Sequence, residues 1–139
     1  MDQAENVVRF RVRYGETDQM GTFANARALE WFECGRTELL RQIGVPYAGM
    51  EARGVFLPVV EAHLAYVGRA RYDDQLEMTT TVAMSGKARV RCDVSIVHAD
   101  SGAGVVHGHT VHAFVDAAGR PIRPPTWFVK VVQSNGSGG

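Results

Sequence analysis

The chain has 139 residues, 45% hydrophobic and 22% charged, and its 15 basic and 15 acidic residues give a net charge of zero. This length and composition fit one globular domain and exclude a largely disordered chain. A net charge of zero does not attract phosphate backbones or anionic lipid, so it argues against nucleic-acid binding. Any phosphate must be bound by local basic residues.

The first predicted element is a half-buried strand over Val8–Tyr14. Apolar residues alternate there with Arg9, Arg11 and Arg13, which is the period of a strand with one buried face. Residues 15–24, GETDQMGTFA, interrupt the alternation with two glycines and several polar residues. This composition is typical of a loop.

A long helix is predicted over Ala26–Ile43. Asn25 suits the N-cap, and Gly44 followed by Pro46 suits the end of the helix. The predicted buried stripe follows three- and four-residue steps and consists of Leu29, Phe32, Arg36, Leu39 or Leu40, and Ile43. A short second helix is predicted over Tyr47–Ala52.

The rest of the chain predicts strands separated by turn residues. They cover Phe56–Tyr66, Leu76–Met84, Val90–Ile96 and Val105–Asp116. A strand, a helix and then a strand meander define an α+β protein in which one helix packs against an antiparallel sheet. We expect a single domain over residues 1–133 and a flexible tail over residues 134–139, SNGSGG.

Two further features concern location and redox state. No apolar run approaches the ~20 residues of a membrane span, and residues 1–6 are polar, so we expect a cytoplasmic protein without a membrane span. Cys34 and Cys92 lack the C-x-x-C spacing of zinc or redox motifs. Both are expected to be reduced packing residues.

Residues 11–41, RVRYGETDQMGTFANARALEWFECGRTELLR, resemble the opening of hotdog-fold thioesterases of the 4-hydroxybenzoyl-CoA thioesterase type. In that family a strand leads into a loop with Thr-Asp or Cys-Asp, then a glycine, then the long central helix. The later segments GVFLPVV, ARYDDQL and VDAAGRPIRPP resemble further landmarks of the family, in the same order. The resemblance implies a hotdog fold, with one long central helix wrapped by a curved antiparallel sheet of five or six strands.

The same resemblance implies an activity and an assembly. The activity is acyl-CoA thioesterase, with the acyl-CoA as substrate, coenzyme A as part of that substrate and no separate cofactor. The assembly is a homodimer whose sheets join edge to edge, or a homotetramer of such dimers, with active sites at the subunit boundary.

Asp18 is the candidate catalytic carboxylate for thioester hydrolysis. Thioester hydrolysis requires a nucleophile or base near the carbonyl carbon and donors that stabilise the oxyanion. Asp18 precedes a helix start, whose unpaired amides and positive dipole end suit an oxyanion. The resemblance assigns the key amide to Asn25, and Asp18 is either the nucleophile or the general base. By residue type alone, the cap of a turn is the better role for Asp18, because aspartate is a common turn residue. Only the resemblance favours the catalytic role.

Substrate contacts are predicted at four loop residues and on the helix. The loop residues are Gly21, Thr22, Phe23 and Ala24, and the helix residue is Glu33, which matches an acid that one branch of the family uses on the acyl group. A surface or subunit-contact glutamate, paired with Arg36 or Thr37, is the alternative for Glu33. One departure is that the family commonly reads Tyr-His-x-Asn-Tyr at the helix entrance, where this chain reads ANARA.

Lys87 and Arg89 are the candidates for the nucleotide of coenzyme A. Its phosphates call for basic side chains, and these two match the basic hairpin of the 4-hydroxybenzoyl-CoA branch. A solvated hairpin tip is the alternative.

The sequence argues against three alternatives. His107 and His109 share a strand face, but two ligands do not make a metal site, so no metal is expected. A hotdog dehydratase or hydratase needs a general acid/base histidine that the helix entrance lacks. A non-catalytic acyl-CoA binding module would not need Asp18.

Overall fold

The computed structural model describes residues 4–135. Five strands form one antiparallel sheet in the order β1-β3-β4-β5-β2. Their bounds are β1 Glu5–Arg11, β2 Val59–Tyr66, β3 Gln75–Ser85, β4 Arg89–His98 and β5 Gly104–Ala113. The predicted α+β class is therefore confirmed, and the sheet has five strands, within the predicted five or six.

Three helices accompany the sheet: α1 Arg27–Gln42, α2 Tyr47–Ala52 and α3 Thr126–Ser134. The buried face of α1 packs against one face of the sheet and runs along it. Trp31 and Phe32 lie in a core cluster with Leu76 and Ile96, whereas Leu39 lies in a second cluster with residues that include Val82, Val90 and Phe128. The start of α1 therefore lies at the Gln75 end of β3, and its end at the Ser85 end.

The alternation of apolar residues locates the central strands well. Leu76, Met78, Thr80 and Val82 are buried on β3, with half-buried residues between them, as period-two patterning requires. On β4 the buried residues Val90, Cys92, Val94 and Ile96 likewise alternate with exposed or half-buried residues.

The end of β1 and the start of α1 differ from the prediction. β1 begins at Glu5 and ends at Arg11, and Tyr14 lies in a 3-10 turn with 77% of its surface exposed. The predicted N-cap is also wrong, because Ala26 occupies the cap position and no side chain caps the helix. Leu29, predicted to be buried, is 45% exposed.

Helix α3 was not predicted. Phe128 and Val132, four residues apart, are its buried residues and pack in the second cluster, so its apolar stripe was present in the sequence. Ser134, the first residue of the predicted flexible tail, ends this helix, and Asn135 caps it. The remaining tail residues lie outside the described part of the chain.

The two edges of the sheet are β1 and β2. One side of β2 pairs with β5, and no strand in residues 4–135 pairs with the other side. Val59, Val60 and Tyr66 on this strand are 46%, 44% and 43% exposed. Exposed apolar edge strands are sites where another chain can pair. No helix within residues 4–135 has the length and apolarity that crossing a membrane requires.

Candidate active site

Asp18 lies at the tip of a small loop that its own main chain closes. Thr17 pairs with Phe23, the Asp18 amide donates to the Thr22 carbonyl at 2.9 Å, and the Gly21 amide donates to the Asp18 carbonyl at 3.1 Å. Gly21 has φ +77°, in the region that favours glycine. The Asp18 carboxylate accepts one hydrogen bond, from the Met20 amide at 2.8 Å, and is exposed. Asp18 therefore stabilises a turn, which is its predicted alternative role. Its other carboxylate oxygen, Oδ2, accepts no hydrogen bond from residues 4–135.

The loop is anchored to the rest of the molecule through its two ends. The Thr22 hydroxyl donates to the Ala70 carbonyl at 3.2 Å, and the Phe23 amide donates to the same carbonyl at 2.9 Å. The Phe23 ring is buried against Trp31, with ring centroids 5.0 Å apart. The structure thus gives the side chains of Thr22 and Phe23 anchoring roles.

Glu16 is a buried carboxylate beneath this loop. It accepts hydrogen bonds from the Arg13 amide at 2.8 Å, the Arg13 guanidinium at 3.1 Å and the Trp31 indole at 2.8 Å. Burial alone raises the pKa of Glu16, but these hydrogen bonds and the Arg13 charge outweigh it and hold the pKa below its ordinary value. Because Trp31 lies on α1, Glu16 fixes the loop to the helix. Sequence reasoning missed this role, although the Arg13-x-x-Glu16 capping box was a signal.

The start of α1 offers two main-chain donors. The amides of Asn25 and Ala26 donate to no protein atom within residues 4–135, whereas the Ala24 amide donates to the Glu16 carbonyl at 2.7 Å. The Tyr66 hydroxyl, from the end of β2, donates to the Asn25 carbonyl at 2.8 Å. Unpaired amides at the positive end of a helix are suited to bind a developing negative charge. Tyr66 was not predicted as a site residue.

A cleft of about 600 Å³ lies further along α1. Glu33, Arg36 and Tyr47 line it on the helical side. Residues 56–59, residues 115–117 and Gly119 supply most of the other wall. Arg36 is 8% exposed, and its Nε donates to the Tyr47 hydroxyl at 3.3 Å. No ion pair within 4 Å joins Glu33 and Arg36 among the described residues.

Lys87 and Arg89 lie at the opposite end of the sheet from Asp18. Both are exposed, at and just after the turn between β3 and β4, and Arg89 pairs with Glu61 on β2 at 3.5 Å. The ends of β3 are separated by about 30 Å, at roughly 3.3 Å per residue. A single chain therefore brings Asp18, Gly21, Ala24 and Asn25 together and leaves the basic pair apart from them.

Three histidines, His63, His107 and His109, lie together on the outer face of the sheet. His63 and His109 stack with ring centroids 5.6 Å apart beside a groove of about 510 Å³. Within residues 4–135, no three histidine, cysteine or acidic side chains are grouped so that they could hold a metal ion.

One family model and several known proteins resemble this chain in sequence. The family model of the thioesterase-like superfamily matches residues 12–132. YneP of Bacillus subtilis, provisionally named an acyl-CoA thioesterase, is 41% identical over 71 residues, which are 51% of this chain and 51% of that protein. A protein of Aquifex aeolicus, provisionally named an esterase, is 33% identical over 72 residues, which are 52% of this chain and 56% of that protein. The chain thus spans about half the length of these curated relatives.

Solved structures resemble nearly the whole chain. A hypothetical protein from Thermus thermophilus, TT1821, has a TM-score of 0.86 at 31% identity, over 94% of this chain and 97% of that one. A DHNA-CoA thioesterase from Staphylococcus aureus has a TM-score of 0.85 at 24% identity, over 94% and 89%. These likenesses confirm the hotdog fold expected from the sequence.

Proposed function

The chain belongs to the thioesterase-like superfamily, and we propose that it hydrolyses an acyl-CoA thioester to the free acid and coenzyme A. One observation carries the proposal. The unpaired amides of Asn25 and Ala26 open α1 only a few residues after the loop that exposes one oxygen of Asp18. A carboxylate and donors for an oxyanion are the groups that acyl transfer from a thioester requires.

In the proposed reaction the thioester carbonyl oxygen accepts hydrogen bonds from these two amides. Asp18 then acts in one of two ways. It attacks the carbonyl carbon and expels the CoA thiolate, and water hydrolyses the resulting mixed anhydride. Alternatively, it removes a proton from a water molecule that attacks the carbonyl carbon directly. In both routes negative charge develops on the carbonyl oxygen, where the helix dipole stabilises it.

A homodimer joined through β2 would complete the site. Antiparallel pairing of β2 with a second copy of itself sets the Val59 end of one strand beside the Tyr66 end of the other. Tyr66 contacts the start of α1 in its own chain, and Val59 lines the 600 Å³ cleft. The cleft of the second copy, with its Glu33, would then face the helix start of the first. The exposed apolar residues of this edge support that pairing.

The same pairing gives Lys87 and Arg89 a place in substrate binding. They lie at the Val59 end of the sheet, so in the dimer they approach the Asp18 loop of the other copy. We propose that they bind the phosphates of coenzyme A.

Replacing both Lys87 and Arg89 by glutamine should raise KM for an acyl-CoA more than for the matching acyl-pantetheine, which has no nucleotide. Equal effects on both substrates would exclude the nucleotide contact, and Arg91→Gln, an ion-paired arginine on the outer face, serves as control.

Asp18→Asn is the main test. Purified protein is assayed by thiol release from short, medium, long and aromatic acyl-CoAs. The variant should remain folded, bind substrate and lose nearly all turnover. Asp100→Asn is the matched control, because Asp100 is also an exposed turn aspartate whose carboxylate accepts a neighbouring amide, at 2.7 Å. If Asp18→Asn keeps more than about a tenth of the rate, a loss under ~1.4 kcal/mol, Asp18 is not the catalytic group.

A further inference from the structure

Arg36 is a buried cation without a matching anion. It is 8% exposed, and no carboxylate within residues 4–135 approaches it within 4 Å. Its Nε donates a hydrogen bond to the Tyr47 hydroxyl, and its Nη1 and Nη2 donate to no described residue. A buried charge is costly unless it is paired. The two free nitrogens therefore form an open fork of donors.

Arg36 belongs to the wall of the 600 Å³ cleft. The cleft also contains carboxylates, but none of them neutralises Arg36. Glu33 and Glu51 are exposed to solvent, which screens their charges. Asp116 is occupied by its own turn, where Oδ1 accepts the amides of Ala118 and Arg120 at 2.9 Å each. Phe56, Leu57, Pro58 and Val59 give the cleft an apolar wall.

The position of Arg36 fits the far end of an acyl group. It lies on α1 about three turns beyond Asn25, which precedes the helix, or roughly 16 Å at 1.5 Å per residue. In the β2-joined dimer proposed above, the substrate lies between two copies, because the cleft of one copy adjoins the helix start of the other. An acyl chain whose thioester lies at that helix start would run along the apolar wall towards Arg36.

We propose that Arg36 binds a carboxylate at the far end of the acyl group, so that the substrates are ω-carboxyacyl thioesters. The planar fork of a guanidinium matches the two oxygens of a carboxylate. Binding such a group also neutralises a charge that the folded chain leaves buried and unpaired. This inference rests on the proposed thioesterase function.

The kinetic test compares two series of equal chain length. Glutaryl-, adipoyl- and suberoyl-CoA carry a terminal carboxylate, and pentanoyl-, hexanoyl- and octanoyl-CoA do not. The protein should favour at least one carboxylated member over its partner by more than tenfold in kcat/KM. Arg36→Met should abolish this preference and leave the uncharged series within about threefold, while Arg36→Lys restores part of it. Arg53→Met, which removes an exposed arginine stacked on Trp127 at 4.4 Å, should change neither series.

A binding measurement keeps the inference separate from catalysis. Free adipate should bind the unmodified protein and Asp18→Asn more tightly than hexanoate does, by calorimetry, and Arg36→Met should remove the difference. A preference that survives Arg36→Met, or equal use of both series and equal binding of both acids, overturns the role of Arg36. If no CoA ester of either series is hydrolysed but adipate binding depends on Arg36, the carboxylate site stands and the proposed thioesterase function fails.

Discussion

The Tyr66 hydroxyl donates a 2.8 Å hydrogen bond to the Asn25 carbonyl and so joins the end of β2 to the start of α1. That carbonyl belongs to the same peptide unit as the unpaired Ala26 amide. A hydrogen bond accepted by a peptide oxygen polarises the unit and strengthens its N–H as a donor. Burial also raises the pKa of Tyr66, which keeps the phenol protonated. Tyr66 is therefore a positioning residue for the proposed oxyanion site.

Tyr66→Phe should lower kcat about 3- to 10-fold with little change in KM, as expected for the loss of one hydrogen bond of 0.5–1.5 kcal/mol. The ring remains and keeps its contact with Phe23, whose centroid is 6.1 Å away, so the protein should stay folded. Steady-state kinetics on the best acyl-CoA measures the effect. Tyr72→Phe is the control, since the exposed Tyr72 hydroxyl makes no hydrogen bond within residues 4–135. An unchanged kcat in Tyr66→Phe would remove the positioning role.

Glu16→Gln should destabilise the protein by about 1–3 kcal/mol, because a buried charge-assisted network loses its anion. The pKa of Glu16 is below its ordinary value of 4.5 in the folded chain. Its stabilisation is therefore fully present above pH 4.5 and is lost as the pH falls through the folded value.

Urea unfolding of both proteins between pH 7 and pH 3 measures this. The unmodified protein should lose stability below pH 4.5 more steeply than Glu16→Gln does. Glu30→Gln, which breaks an exposed ion pair with Arg27, should cost less than about 1 kcal/mol and keep the steep loss. Parallel pH profiles for the unmodified protein and Glu16→Gln would contradict the assignment.

His112 should make the protein less stable in mild acid. It is 1% exposed, and its pKa is lowered first by burial and further by the Arg36 charge, against the opposing hydrogen bond to the Leu57 carbonyl at 3.0 Å. Since that carbonyl only accepts, Nδ1 carries the proton and Nε2 accepts from the Thr110 hydroxyl at 2.9 Å. A folded pKa below 6.5 means that the unfolded chain binds the proton more tightly.

Stability contributed by His112 is thus complete above pH 6.5 and falls as the pH drops below it, until the folded pKa is reached. The free energy of unfolding, measured from pH 7.5 to 5, should decline less in His112→Gln than in the unmodified protein. His107→Gln, at an exposed position, should keep the original slope. The same slope in His112→Gln would show that another group titrates.

One thiol per chain should react with a thiol reagent in the native protein, and a second only after unfolding. Cys34 is exposed, so its predicted packing role is wrong, whereas Cys92 is 2% exposed and burial raises its pKa to about 12. Reagent titration of the unmodified protein and of Cys34→Ser measures the two thiols. Rapid native reaction of Cys34→Ser would contradict the burial of Cys92. Cys34→Ser is also the suitable background for thiol-release assays.

Gly35→Ala should destabilise the protein by about 1–3 kcal/mol through overpacking. A Cβ at Gly35 would clash with the Thr80 hydroxyl and crowd the end of Met78 on β3, so glycine lets α1 approach the sheet. The free energy of unfolding of Gly35→Ala, Thr80→Ala and the double variant measures the coupling, and the double variant should recover part of the loss. Gly49→Ala, in α2, should not destabilise, because a Cβ there would make only an ordinary contact with Pro46 at 3.8 Å. Equal effects of the two glycine substitutions would refute close packing at Gly35.

The sequence by itself determined the elements whose residues are neighbours along the chain. Alternation located β3 and β4, and three- and four-residue steps located α1 to within one residue at each end, because burial imposes the period of each element on its own residues. It also brought Asp18, Gly21 and Asn25 into one segment, since loop and helix start are contiguous. Tertiary structure alone decided which distant groups meet: Trp31 with Glu16, Tyr66 with Asn25, and Arg36 with the apolar residues 56–59 of the cleft wall. These relationships depend on how helix and sheet pack, and no local pattern records a contact between residues far apart in the chain.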